Sequence, residues 1–460
     1  MERATPYDVV VVGAGLVGSG IARALSAYDL SVALLDARDD VGDGTSKANT
    51  AILHTGFDAT PGTLESRLVR RGYELLSAYA VEAGIPVERT GAVLVAWDDD
   101  QLAALPKLAD KARANGYDAT RLITADEVYA AEPHLGPGAL GGLTVPDESI
   151  TCTWTTNLAL ATDAVRRGTA LLLGHAVRDV EVGDGTTVVR TSRGDVTARW
   201  VVNAAGLGSD LVDRMLGHDR FTITPRKGEL VVYDKAARAL VRSIVLPVPT
   251  ALGKGVLVSP TVYGNVMVGP TAEDIDDRTD TSTTERGLAF LAEKAHRLVP
   301  GLAHEEVTAT YAGLRAASEH SDYVLEVEPA QRYVVAGGIR STGLTASMSI
   351  AEHVVGLLDG LLELRERDDL PPTVRMPNLG EAFVRPYLDE ARIAADPEYG
   401  RVVCFCEKVT AGEIRDALAS TIPPSSLGGL RRRTRAMNGR CQGFFCGAEV
   451  AARLERGATS

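Results

Sequence analysis

The apolar positions at the start of the chain change period twice before Asp36. A β-branched run ends at Val12, Leu16, Val17, Ile21, Ala24 and Leu25 then recur on one face of a helix, and 30–35 is again apolar apart from Ser31. The pattern predicts a strand over 7–12, a helix and a second strand, which is a βαβ unit. Downstream, β-branched and apolar runs predict strands at 91–96, 170–173, 186–191, 200–203, 229–233, 255–259, 266–269 and 333–336. Helical spacing predicts helices at 63–83, 100–115, 157–167, 282–298 and 347–364. One early βαβ unit, followed by clustered strands with helices between them, predicts an α/β chain with a second, more antiparallel sheet. No tandem repeat or low-complexity tract interrupts it.

Apolar periodicity fades over 366–400, where Asp368, Asp369, Pro371, Pro372, Pro377, Pro386 and Pro397 gather. A linker is expected there, with 401–460 as a separate module. Modules of that size rarely hold together on a core alone and commonly carry a metal. The length of 460 residues suits two or three domains, and 45% hydrophobic with 24% charged residues is a globular composition. A net charge of −13 argues against general attraction to nucleic acid or an anionic membrane. The local run Arg431, Arg432, Arg433 and Arg435 is expected to be a solvated face.

The most apolar stretch, 9–17, is short and broken by Gly13 and Gly15, so no membrane span is expected. Residues 1–6 lack the apolar core of a signal peptide, and a cytoplasmic protein is expected. Of five cysteines, four lie beyond residue 400, which points to a local site rather than structural disulfides. Cys152 stands apart and is expected to be buried packing.

Gly13-Ala14-Gly15-Leu16-Val17-Gly18 follows the first strand and opens the first helix, and Asp36 ends the second strand. In that setting G-x-G-x-x-G is a dinucleotide turn. The glycines let the backbone approach a pyrophosphate at the helix N-terminus, and the carboxylate meets the ribose hydroxyls. The bland alternative is a tight turn without a ligand. The small-polar loop GDGTSKANTAILHTG at 42–56 has no use in an NAD enzyme, and VVNAAG at 201–206 resembles the strand and turn that close over FAD in flavoproteins.

SKANTAILHTGFD (46–58), PRKGEL (225–230), GKGVLVSPTVYGNVMVGPTAED (253–274), YAGLRA (311–316) and GGIRSTGLTAS (337–347) together resemble the D-amino-acid oxidase-like flavoproteins. Within them the chain is most similar to short bacterial FAD-dependent glycerol-3-phosphate dehydrogenases and oxidases, with L-2-hydroxyglutarate oxidases close by. The resemblance implies an FAD-dependent oxidoreductase over 1–365. It would combine a Rossmann-like FAD-binding domain with an inserted mixed or antiparallel substrate domain, approximately 85–150 and 220–320. It implies that Thr45, Ser46, Asn49 and Thr50 line flavin and pyrophosphate and that Val177 meets adenine through its backbone. Gly206 belongs to the turn over FAD, and Gly343, Leu344 and Thr345 sit at the pyrimidine end of the ring. It puts His54 near the flavin N5 and Lys254, Arg315 and Ser341 at the anionic end of the substrate. Relatives usually carry Glu at position 36 and often Ser at position 50, where this chain has Asp36 and Thr50.

Those residue types suit alcohol oxidation. The cofactor takes the hydride, a histidine titrating near neutrality accepts the hydroxyl proton, and arginine grips an anion through two parallel hydrogen bonds. Lysine adds a point charge. Without the resemblance, His54 reads equally as a satisfied core histidine, Arg315 as a structural ion pair, and Lys254, between two glycines, as a solvated turn.

Cys404-Phe405-Cys406 and Cys441-x4-Cys446 are separated by 34 residues that include the capping-box pattern Thr410-x-x-Glu413. Thiolates in this pattern suit an iron–sulfur cluster or zinc, with a disulfide pair as the remaining option. CFCEKVTAGEI and RRRTRAMNGRCQGFFC resemble the bacterioferritin-associated ferredoxin-like [2Fe-2S] domain, with Met437-Asn438-Gly439 in place of the usual Gly-Met-Gly. The resemblance implies a small α-helical [2Fe-2S] domain over 401–460, relaying electrons or purely structural.

The expected protein is a cytoplasmic FAD and [2Fe-2S] dehydrogenase of a small anionic alcohol, foremost sn-glycerol 3-phosphate. It would pass electrons to a quinone or redox protein and could sit peripherally at the inner membrane face. A 2-hydroxy acid or secondary amino acid is the alternative substrate. A flavin and iron–sulfur carrier or sensor without a small substrate is the alternative of another class. No nucleic acid partner is expected.

Overall fold

The computed structural model describes residues 5–249 and 255–457. Strand Tyr7–Val12 lies at the centre of an eight-stranded sheet, parallel to Val32–Leu35 on one side and to Gly194–Asn203 on the other. Ala170–Leu172 extends it beyond Val32–Leu35, and Tyr333–Gly337 joins Gly194–Asn203 in parallel. Antiparallel strands Val177–Val182, Thr187–Thr191 and Val324–Glu328 complete it. The central strands are buried on both faces, hence the unbroken apolar runs rather than alternation. Helices Leu16–Leu25, Thr153–Arg166 and Gly343–Leu358 cover one face with Val9, Val11, Ile21, Leu34, Val202, Ile350 and Val354 in a common core.

The second sheet has nine strands and is mostly antiparallel. Its longest pair joins Thr224–Tyr233 to Val307–Ala317, and Ala92–Ala96 and Ile244–Pro247 form its parallel step. A small third sheet pairs Ile52–Leu53 and Val87–Glu88 with Ser149–Thr151.

Helix 347–364, as expected from spacing, instead runs Gly343–Leu358. It starts earlier because small residues follow Thr342 directly, and it stops where Gly360 takes φ +77°. Strand Val307–Ala317 carried no clear signal. Its reading, VTATYAGLRAA, is interrupted by glycine and alanine where another segment comes close, since a Cβ on Gly313 would sit 2.2 Å from the Ala48 carbonyl oxygen.

Segment 366–400 runs along the larger body with only short helices, and it buries Arg385 against Glu381 and Glu413. Beyond it, strands Val402–Cys404 and Val409–Thr410 and helices Ala411–Leu418, Leu427–Thr434 and Gly447–Gly457 enclose a separate core of Val403, Val409, Ile414, Leu430 and Val450. The Thr410–Glu413 capping box forms as the sequence predicts.

The arginine run is not a solvated face. Arg432, Arg433 and Arg435 turn into the junction between this module and the rest of the chain. Arg433 donates to both carboxylate oxygens of Asp40 at 2.8 Å, and Arg432 reaches Asp40 and Asp43 at 2.7 Å. Burial alone would raise the Asp40 carboxyl, but the hydrogen bonds and charge of the two arginines hold it below the usual carboxylate range. Removing one member of such a buried cluster strands the others. Asp40→Ala is therefore expected to cost about 3–5 kcal/mol at the junction. It should lower the urea midpoint and speed proteolysis within 366–400, and unchanged proteolysis would remove the junction from the account.

Candidate active site

The glycine turn is dictated by close approach. Gly13 has φ +104°, and a Cβ there would lie 2.4 Å from the Ala204 carbonyl oxygen; on Gly18 it would lie 1.8 Å from the Gly13 oxygen. Gly18 thus brings turn and helix together, while Gly13 and Gly15 line a cavity of about 640 Å³. Gly15 provides no side-chain cap for helix Leu16–Leu25; the Ser46 hydroxyl alone reaches the Leu16 amide, at 3.0 Å. The positive end of that helix consequently opens onto the cavity. Asp36 accepts from the Ala14 and Arg38 amides at 2.7 and 2.8 Å, so its shorter carboxylate also ties the turn together. Burial raises its pKa, against the pull of those two amides.

The cavity is long and fits a dinucleotide. One end is lined by Asp36, Arg38, His175 and Val177, the middle by Thr45, Ser46 and Gly206, and the other end by Asn49, Thr50, His54, Gly343, Leu344 and Thr345. Several of these residues also fix its walls. Thr45 donates to the Leu314 carbonyl, Asn49 binds the Ser46 carbonyl and the Thr153 hydroxyl, and the Thr345 hydroxyl accepts from the His54 amide at 2.9 Å.

His54 is positioned by register. Leu53 opposes Ser149, so the next residue on each strand, His54 and Glu148, meet. His54 Nδ1 lies 2.7 Å from Glu148, whose same oxygen also accepts from the Thr55 amide and hydroxyl. Nε2 lies 2.9 Å from Asp58. Burial pulls the imidazole pKa down, but the charge of Glu148 and hydrogen bonds to both carboxylates raise it to about 10. At neutral pH that makes the ring an imidazolium, where the sequence led to a histidine titrating near neutrality. Glu148 and Asp58, both lining the cavity, carried no motif of their own; only strand register could have revealed Glu148.

Arg315 lies directly across from Arg226 in the paired strands. Asp274 answers Arg226 with bonds of 2.6 and 2.9 Å, and Arg315 forms no salt bridge among the described residues. It donates to the Thr271 carbonyl and otherwise faces the cavity half-buried. Burial, then Arg226, lowers its pKa to about 10, which still leaves a cation at neutral pH. Gly228 makes the room: a Cβ there would lie 2.6 Å from the Arg315 guanidinium. Ser341 and, unforeseen from the sequence, Arg340 line the same end. Lys254 lies outside the described residues.

In the C-terminal module the thiols converge, hydrogen-bonded as Cys406 with Cys441 and Cys404 with Cys446 and interacting across the pairs. Two pairs suit a two-iron cluster, in which each iron takes two thiolates. Among the described residues no three His, Cys, Asp or Glu side chains converge as one metal ion would require. The backbone amide of Phe445, with those of Gly443 and Phe444, is directed at the Cys441 sulfur and lowers its pKa, as a bound thiolate needs. Gly439 is fixed by proximity, since a Cβ there would meet that of Cys406 at 2.4 Å. Met437 takes φ +67°, a left-handed conformation that favours glycine, at the turn before Cys441.

A glycine-turn cavity walled by two sheets, joined to a four-cysteine module, defines a flavoprotein oxidoreductase with an appended iron–sulfur domain. Residues 8–357 match the FAD dependent oxidoreductase family and 402–456 the BFD-like [2Fe-2S] binding domain. The chain belongs to the FAD dependent oxidoreductase family, and its cofactors are FAD and a [2Fe-2S] cluster. It is 35% identical, over 98% of its length and 94% of the relative's, to a glycerol 3-phosphate dehydrogenase of Caloramator mitchellensis. An L-2-hydroxyglutarate dehydrogenase of Indibacter alkaliphilus is 30% identical over 62% of this chain and 73% of its own. Among solved structures, the dithionite-reduced L-alpha-glycerophosphate oxidase of Mycoplasma pneumoniae with FAD bound superposes with a TM-score of 0.77 at 27% identity, covering 81% of this chain and all of that one. Among the described residues no helix is long and apolar enough to cross a membrane.

Because the folded imidazole binds its proton more tightly than the unfolded chain does, the His54 ion pairs stabilise the fold fully below about pH 6.5. That contribution is lost as pH rises through the folded value of about 10. Nitrogen-15 NMR of labelled histidine should show His54 titrating near that value. Glu148→Gln should move it down by about 1–3 units, and a ring already neutral at pH 7 in the native protein would contradict the ion-pair geometry.

Proposed function

We propose that the protein oxidises the secondary alcohol of sn-glycerol 3-phosphate to dihydroxyacetone phosphate and passes the electrons on through its cluster. The observation that carries this reading is Arg315: a half-buried cation facing the cavity, with its neighbouring carboxylate already committed to Arg226. A cation in a recess whose nearest carboxylate is bonded to another arginine calls for an anionic ligand. The similarity to a glycerol 3-phosphate dehydrogenase over nearly the whole chain supports a phosphate as that anion.

When bound, FAD supplies the hydride acceptor and the cluster a one-electron acceptor. Arg315, with Ser341 in the same cavity and Lys254 by resemblance, grips the phosphate and so fixes the reacting carbon against the far end of the cavity. Glu148 holds His54 Nδ1, which leaves Nε2 as the atom that exchanges its Asp58 hydrogen bond for the substrate hydroxyl. The imidazole accepts that proton only in its neutral form, so turnover rises with pH toward the raised pKa. Asp58 orients the ring between turnovers, and Thr345 holds the backbone of His54 in place.

Anaerobic addition of sn-glycerol 3-phosphate should bleach the flavin rapidly while L-2-hydroxyglutarate leaves it oxidised. Bleaching by the hydroxy acid instead moves the substrate to that class, and bleaching by neither favours a carrier without a small substrate. Arg315→Ala should raise KM for the phosphate by about 10- to 100-fold, the loss of one charge-assisted grip, with kcat less affected. An unchanged KM assigns Arg315 to structure alone.

A further inference from the structure

Between the cavity and the cysteine module lies a continuous file of conjugated side chains that the chemistry above leaves unused. It begins beside a cluster ligand. Glu407, next in sequence to Cys406, accepts two hydrogen bonds from Arg435 at 3.0 and 2.8 Å. The Arg435 guanidinium carbon lies 3.9 Å from the centre of the Tyr263 ring. Tyr263 stacks on Trp154, with ring centroids 5.2 Å apart and planes 22° apart. Trp154 Nε1 donates at 2.9 Å to the carbonyl of Lys47, in the loop whose Ser46, Ala48 and Asn49 line the cavity. A second thread runs alongside: the Tyr263 hydroxyl is 3.0 Å from the Cys152 sulfur, and neighbouring Thr153 donates to the Ser46 carbonyl at 3.0 Å.

Two features distinguish this file from ordinary packing. Arg435 caps helix Leu427–Thr434 with φ +71°, a left-handed conformation in which glycine is the usual occupant. For a residue with a side chain that conformation costs about 1–2 kcal/mol. Glycine would end the helix without strain, but it could reach neither Glu407 nor Tyr263. The second feature is where the file ends. One end stands next in sequence to a thiolate ligand and the other at the cofactor loop, and Glu407 and Arg435 between them are buried.

We propose that Arg435, Tyr263 and Trp154 form the conduit through which electrons pass singly from the flavin cavity to the cysteine centre. This rests on the reading that the cluster takes its electrons from the flavin. Electronic coupling decays more steeply across empty gaps than through atoms in contact, and here stacked rings and hydrogen bonds leave no gap. The guanidinium charge, held against the tyrosine face, lowers the energy of an electron crossing the file. Two electrons arrive at the flavin together with the hydride, and the cluster accepts one at a time. Each must be handed to a one-electron acceptor outside the protein, a redox protein or dye, before the next follows. The accompanying protons leave to solvent through the cavity.

The test uses the full holoprotein and laser-flash photoreduction of its bound flavin with EDTA as the sacrificial donor, so it depends on no substrate assignment. Cluster reduction is read from absorbance and from the electron paramagnetic resonance of frozen samples. Trp154→Leu and Tyr263→Leu should each slow electron arrival at the cluster by about tenfold or more, because leucine opens a gap on one face of the stack. Flavin content, iron content and cluster potential should stay at native values. Trp154→Phe, which keeps a ring against Tyr263 but loses the hydrogen bond to Lys47, should recover only part of the rate. Native transfer rates in both leucine variants would overturn the conduit while leaving the relay intact. A native protein in which the flash-reduced flavin never reduces the cluster would overturn the relay and the conduit together.

Discussion

Three elements of the structure converge on the loop Thr45–Asn49, and everything chemical depends on the tightness of that convergence. The Ala48 carbonyl lies against strand Val307–Ala317 so closely that only glycine fits at 313. The Ser46 hydroxyl caps the Leu16 amide of the dinucleotide helix, and its carbonyl receives Thr153 from a third element. Lys47 receives Trp154, which leads to the cysteine module. A loop held by three separate elements has little freedom left, so the wall it forms is pre-organised for a cofactor and spared the entropy of closing around one.

The electrostatics of the cavity follow from how charges are left unbalanced at its far end. His54 is bonded to two carboxylates and Arg315 to none, so one group holds its proton tightly and the other feels only the charge of an Asp274 already bound to Arg226. Both departures arise from strand pairing. Antiparallel register brings Glu148 to His54, and it sets Arg226 opposite Arg315 so that Asp274 is spent on the wrong arginine for neutrality. Sheet geometry thus tunes a proton site and an anion site with the same device, cross-strand neighbours.

Local signals in the sequence were strong where the physics is local. The βαβ unit, the glycine turn, Asp36 and the Thr410 capping box depend on neighbours a few residues away and could be read directly. The cavity residues named by resemblance line it, except Gly18, whose role is packing, and Lys254, which is not described. The misread arginines show the limit. Arg433 is buried because Asp40, some 390 positions earlier, waits for it, and nothing in RRRTR announces a partner so distant. Glu148 escaped notice for the same reason, since it meets His54 from 94 positions away rather than through any period or motif.

The walls of the cavity are assembled from opposite ends of the chain: Thr45 bonds to Leu314, and the His54 amide to Thr345. On a ribosome the glycine turn emerges first, yet it faces no complete recess until residues near 345 have also left the tunnel. Capture of FAD must therefore come late in synthesis. Arg433 then reaches back to Asp40 from a segment made later still, so the cysteine module closes over a body already shaped around its flavin.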